Sequence, residues 1–267
     1  MWQSLRHATG WPLRRPGILF LTAGEEDLAR QDPARFRHAW IGLTIQSVLW
    51  GLVLVNSWGL AWMVFGGFPP YLVPAAATLA IFVLGPCRRA IVAFLDVFAP
   101  GSSPSRPVLA AVLVAGLGMC LARLTGPSSG SDDYPRLEWW LNWVRPWALY
   151  RVLLLMPVWG AWSMLIGPQY CRSRQKADPA TAAFAKGCSP VAAAGCLVLP
   201  LGGTLFYFHY LGLGSQIVLS ATACLTAIAA GIVCCRRAGG LCRRSLLAAN
   251  LITQVAFLLA CLACMKP

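Results

Sequence analysis

The chain has 267 residues, of which 58% are hydrophobic and only 12% charged, with a mean hydropathy of +0.63. A soluble domain of this length carries about a quarter charged residues, so the composition excludes an ordinary globular enzyme and reads as a polytopic membrane protein. The formal net charge of +13 does not point to nucleic acid, because the basic residues sit in short clusters between apolar runs, as a topology signal does.

Residues 1–40 form a basic lead with Arg6, Arg14, Arg15, Arg30, Arg35 and Arg37, expected to be a cytoplasmic segment ahead of one transmembrane domain, residues 41–267. Its apolar stretch 17–23 is short and is followed by Glu25, Glu26 and Asp27, so no cleavable signal is expected. Asp32-Pro33 is a good helix opening, with Asp as N-cap and Pro at the first helical position. That helix is expected to run through Phe36 and Trp40 into a first span at 41–65. Residues 66–70 (GGFPP) read as an uncharged turn and 71–85 as a short second span. Pro86-Cys87-Arg88-Arg89 ends that span, and 90–99 is an apolar piece too short to cross alone. A Pro/Ser-rich loop at 100–107 leads to a third span, 108–124.

Residues 125–146 carry Asp132, Asp133 and Glu138, then Trp139, Trp140 and Trp143, with Trp147 just beyond. This suits an amphipathic helix at headgroup level, where an indole has a wet and a dry side; an aromatic ligand cage is the other reading. The fourth span is expected at 147–167, with Arg151 near enough to its start to snorkel. A basic loop follows, with Arg172, Arg174, Lys176 and Lys186 and a second helix opening at Asp178-Pro179. The remaining spans are expected at 191–211, interrupted by Pro200 and Gly202-Gly203, at 215–235 and at 245–265.

The basic clusters at 6–37, 88–106, 172–186 and 236–244 each follow an even number of spans. This asymmetry predicts an all-α, polytopic transmembrane bundle of about seven spans (six to eight), N-terminus in the cytoplasm, in the cell's inner (plasma) membrane. Nearly all of the 11 cysteines fall in spans or on the cytoplasmic side, where thiols stay reduced. Cys261 and Cys264 form a C-x-x-C in an apolar helix, where cysteine packs as a small hydrophobe. With only His7, His38 and His209 available, no metal site is expected. His209 reads as a packed interfacial residue rather than a base.

No nucleotide-binding loop, nucleophile elbow or zinc-protease motif occurs. The stretch 234–250 (CCRRAGGLCRRSLLAAN) is the most distinctive. Residues 237–248 (RAGGLCRRSLLA) resemble the R-x-G-G-x-T-G-D-x-x-G-A segment of the cobalamin synthase (adenosylcobinamide-GDP ribazoletransferase) family. Residues 153–164 (LLLMPVWGAWSM) resemble that family's P-x-x-G-R-W-A-M span, 182–187 resemble the segment after it, and Leu19-Phe20-Leu21-Thr22 resembles its N-terminal F-L-T.

The resemblance implies an integral membrane enzyme in which α-ribazole displaces GMP from a GDP-activated cobinamide, with Mg²⁺ held by carboxylates. The family's acidic signature, D-G-x-A-D-x-x-D, falls on Arg89, Ala93 and Asp96 when Gly85 takes the place of the preceding glycine. The later motif's Asp is Arg244, and the Arg of G-R-W-A-M is Ala161. Exchange of a carboxylate for arginine reverses the charge that a metal needs, so the expectation is a divergent member with reduced or lost catalysis. Mg²⁺ is expected only if that activity survives. Asp96 is the candidate catalytic acid. Arg88, Arg89, Arg172, Arg236, Arg237, Arg243 and Arg244 are candidates for binding an anion or phosphate, with Gly239 and Gly240 as motif backbone. The alternative is a non-catalytic scaffold, partner subunit, or binder of anionic lipid or phosphate. Expected partners are membrane lipids, a phosphorylated or nucleotide-activated small molecule and perhaps-free of nucleic acid, another membrane protein.

Overall fold

The computed structural model describes residues 33–65, 72–85, 87–101, 103–124, 148–171 and 179–265. Nine α-helices occur among them: α1 (Ala39–Phe65), α2 (Leu72–Leu84), α3 (Arg88–Phe98), α4 (Ser105–Leu124), α5 (Ala148–Tyr170), α6 (Pro179–Gly187), α7 (Pro190–Tyr207), α8 (Gly212–Ala238) and α9 (Arg243–Cys264). A 3₁₀ turn, Pro33–His38, leads into α1, and another, His209–Leu211, joins α7 to α8. The tryptophan-rich segment 125–147, the lead 1–32 and Arg172 lie outside the described residues.

Six helices are long and apolar enough to cross a membrane: α1 with its leading turn, α4, α5, α7, α8 with its leading turn, and α9. The protein is a multi-pass helical membrane bundle. Its hub is α5, almost wholly buried, which four neighbours approach closely at small residues, as lipid-embedded helices do. A Cβ on Gly51 of α1 would lie 2.5 Å from the Leu154 carbonyl oxygen, and one on Gly160 would lie 2.6 Å from Gln254 Cγ of α9. A Cβ on Gly231 of α8 would stand 3.9 Å from the Gly167 Cα. On the α7 side, Trp159 Nε1 donates to Thr204 Oγ1 at 3.0 Å, and Trp162 Nε1 donates to the Ala193 carbonyl at 3.0 Å. Each indole thereby buries its ring without stranding its donor.

The bundle has two ends. One gathers the Pro33–His38 turn, α6, the C-termini of α5 and α8, and the N-termini of α7 and α9. There Gly187 packs on the Arg37 backbone, Gln169 Nε2 donates to the Cys188 carbonyl at 2.6 Å, and Cys171 Sγ approaches the Gly231 carbonyl at 3.5 Å. Arg37, Arg106, Lys186, Arg236, Arg237, Arg243 and Arg244 sit at this basic end, against Arg123 and Arg151 at the opposite one. Arg151 lies 4.3 Å from the ring centroid of Tyr210 there.

The seventh crossing is where the sequence reading needs correction. The second span and the 90–99 piece are two halves of one crossing, α2 and α3, bent by 68°. Gly85 and Pro86 explain the break: proline removes a helix N–H, and the residue before it is pushed out of helical conformation. α2 starts six residues after α1 ends, at the end opposite the basic one. It runs back along α1 until Gly85 meets the ring of Trp50, to which a Cβ would come within 3.3 Å. α3 then continues antiparallel to the first half of α9. Cys87 Sγ donates to Gln254 Oε1 at 3.7 Å at one end of α3, and Asp96 reaches Arg244 at the other. The chain therefore enters from one end and leaves at the other, giving seven crossings.

Candidate functional site

α3 has two unlike faces. Ala90, Ile91, Ala93, Leu95 and Val97 are buried, whereas Arg88, Arg89 and Val92 are exposed and Asp96 is partly so. Residues 88, 92 and 96, four apart, share the open face.

At the basic end, arginines hold Asp96. Arg106 Nη2 of α4 donates to its Oδ1 at 2.7 Å, and Arg244 Nε stands 4.0 Å from its Oδ2. Arg237, in the last turn of α8, lies 4.8 Å from the ring centroid of Phe98. Arg243 is buried at the start of α9, while Arg236 is exposed. The structure thus gathers Asp96, Arg237 and Arg244 and adds Arg106. Gly239 and Gly240 form the turn into α9. Gly239 takes φ 73°, a left-handed C-cap that glycine adopts without strain, and the Gly240 N–H donates to the Cys235 carbonyl at 2.8 Å. These amides satisfy helix carbonyls.

A magnesium ion does not fit this arrangement. Both oxygens of Asp96 face guanidinium groups, whose charge opposes a dication. Asp96 is the one Asp or Glu among the described residues; the other eight of the nine lie outside them. Among the described residues no three His, Cys, Asp or Glu side chains come together as a metal site.

Arg88 and Arg89 stand elsewhere. Gln254, beside Cys87, is eleven residues past Arg243 and ten before Cys264, about 16 Å and about 15 Å from the two ends of α9. The two arginines, expected at the membrane edge, therefore begin α3 at half-depth. The Pro86 break moves them there, because it lets α3 start inside the bundle rather than at its rim. One arginine facing lipid at that depth costs about 2.5–3.5 kcal/mol, more than any surface ion pair returns. Polar side chains anchor the break: Gln254 Nε2 donates to Asn250 Oδ1, and Asn250 Nδ2 approaches Met164 Sδ at 3.4 Å. α3 starts without a side-chain cap.

Other candidates take structural roles. All eleven cysteines are described and none forms a disulfide. The Cys171 thiol is pushed up by its hydrogen bond with Cys235 and then by burial. Cys261 is fully buried and Cys264 half-buried. His209 is exposed rather than packed, its Nδ1 2.8 Å from the Phe206 carbonyl oxygen beyond the end of α7. Sequence reasoning missed Arg106, Cys87, Asn250 and Gln254. Asn250 and Gln254, four apart in an otherwise apolar span, were a readable signal of a polar interior site. No family model, curated protein or solved structure matches this chain.

Proposed function

We propose that this multi-pass membrane protein binds a phosphate-bearing anion at the basic end of its bundle, as a divergent relative of the cobalamin synthase kind that lacks metal-assisted turnover. The observation that carries the reading is Asp96, whose two oxygens face Arg106 and Arg244, with Arg237 alongside. One carboxylate against three guanidinium groups leaves net positive charge, and guanidinium matches phosphate oxygens in pairs. The surplus of Lys and Arg at that end supports a cytoplasmic orientation, and the plasma membrane is the membrane we propose.

The test uses the full chain in phosphatidylcholine nanodiscs. Inorganic pyrophosphate titrated by calorimetry is expected to bind saturably, to weaken as salt rises, and to bind less well after Arg237→Gln and Arg244→Gln together. Membranes given GDP-activated cobinamide, α-ribazole and Mg²⁺ are expected to form no cobalamin. Turnover that disappears in Asp96→Ala would refute the loss of catalysis. Absence of saturable binding would leave the scaffold or partner-subunit reading, in which the same arginines only anchor the ends of the spans.

A further inference from the structure

The open face of α3 runs from Asp96 at the basic end to Arg88 and Arg89 at half-depth. Two adjacent guanidinium groups do not rest in hydrocarbon. Nor can either side chain reach the rim, about 15 Å away along α9. Irregular backbone and charge at this depth are tolerated where they line water or protein, and a broken helix at the middle of a bundle is the arrangement by which membrane proteins present binding groups there. The face between the two ends is not sealed: Val92, one turn from Arg88, is exposed. The break is also held in place from behind, since Cys87 is tied to Gln254 and Gln254 to Asn250. The arginines therefore have a fixed base rather than a loose loop.

We infer that the open face of α3 lines a water-filled cleft leading from the basic end to half-depth, and that Arg88 and Arg89 at its floor bind the oxygens of a phosphate group. This rests on the anion-binding reading above and deepens it by moving the site from the rim to the interior. Arg106 and Arg244 stand at the mouth, where positive charge draws an anion inward. Two side-by-side guanidiniums on a helix end suit a small oxyanion, either a free phosphate compound or a lipid headgroup sliding in from the leaflet.

The experiment is cysteine accessibility in the full chain reconstituted in sealed vesicles, read peptide by peptide by mass spectrometry. Val92→Cys is compared with Val112→Cys, a position exposed on α4 that faces lipid. A membrane-impermeant maleimide added at the basic end should label Val92→Cys at least about tenfold faster, because the reacting thiolate forms only where water reaches. Inorganic pyrophosphate should slow that labelling. The protection should vanish with Arg88→Gln and Arg89→Gln and return in part with lysine at both positions. Slow labelling before pyrophosphate is added, seen in vesicles containing phosphatidic acid and not in pure phosphatidylcholine, would identify the headgroup as the source.

Val92→Cys labelling no faster than Val112→Cys overturns the cleft; if pyrophosphate still binds by calorimetry, the rim reading survives without it. Fast labelling that pyrophosphate does not slow overturns the phosphate site at the cleft floor. Lysine variants that label and bind normally exclude misfolding as the cause of any loss in the glutamine variants.

Discussion

The Asp96 cluster makes a quantitative prediction through two double-mutant cycles. Arg106 donates to Asp96 at 2.7 Å, with side chains 30% and 25% exposed, whereas Arg244 stands at 4.0 Å and is 55% exposed. A charge-assisted hydrogen bond contributes about 1.5–3 kcal/mol and an exposed ion pair about 0.2–1 kcal/mol. Partial exposure places the Asp96/Arg106 coupling between these, at about 1–2 kcal/mol. Arg244, beyond hydrogen-bonding distance and more than half exposed, should couple by less than about 0.5 kcal/mol. The variants are Asp96→Asn, Arg106→Gln and Arg244→Gln, singly and in the two pairs, with unfolding followed in mixed detergent micelles. Subtracting the single effects isolates each pair, and the larger coupling should fall as salt rises. A stronger coupling to Arg244 than to Arg106, or none to either, would refute the geometry and the neutralised carboxylate with it.

Three further outcomes are expected. Gly51→Ala brings a Cβ within 2.5 Å of the Leu154 carbonyl oxygen and 2.9 Å of its Cα; pushing α1 off the hub should cost about 1–3 kcal/mol, read as a lower unfolding midpoint. Gln254→Leu removes the partner of both Cys87 and Asn250 and should cost about 1–3 kcal/mol, with faster thiol labelling of Cys87 as the break loosens. Burial pushes the Cys188 thiol up to about 12, which favours the protonated form. At pH 8 about one thiol in ten thousand is then ionised, so native Cys188 should resist iodoacetamide, react faster as pH rises, and label fully on unfolding.

The bundle was legible in the chain because lipid imposes a length and a polarity on each crossing. The apolar runs ending near Phe65, Leu124 and Cys264 could be placed within a few residues, and Ser189-Pro190 announced the start of α7, where Ser189 Oγ accepts from the Ala192 N–H at 3.1 Å. The charge asymmetry was equally readable: Arg236, Arg237, Arg243 and Arg244 gather at one end, as their clustering implied. Local composition carries all of this, since hydrophobic length and charge spacing are properties of neighbouring residues.

The site was not legible in the same way. Asp96 looked like a remnant metal ligand until Arg106 and Arg244, ten and 148 residues further along the chain, were brought to it. Arg88 and Arg89 looked like rim anchors because a one-dimensional reading ends a span at its first charges. Their depth depends on the Pro86 break and on how far α3 slides along α9, which Gln254 sets by meeting Cys87. The sequence by itself determined that this is a many-spanned, basic-ended membrane protein. Only the tertiary structure decided which charges cancel and which are carried into the interior, because those outcomes follow from the register between helices distant in the chain.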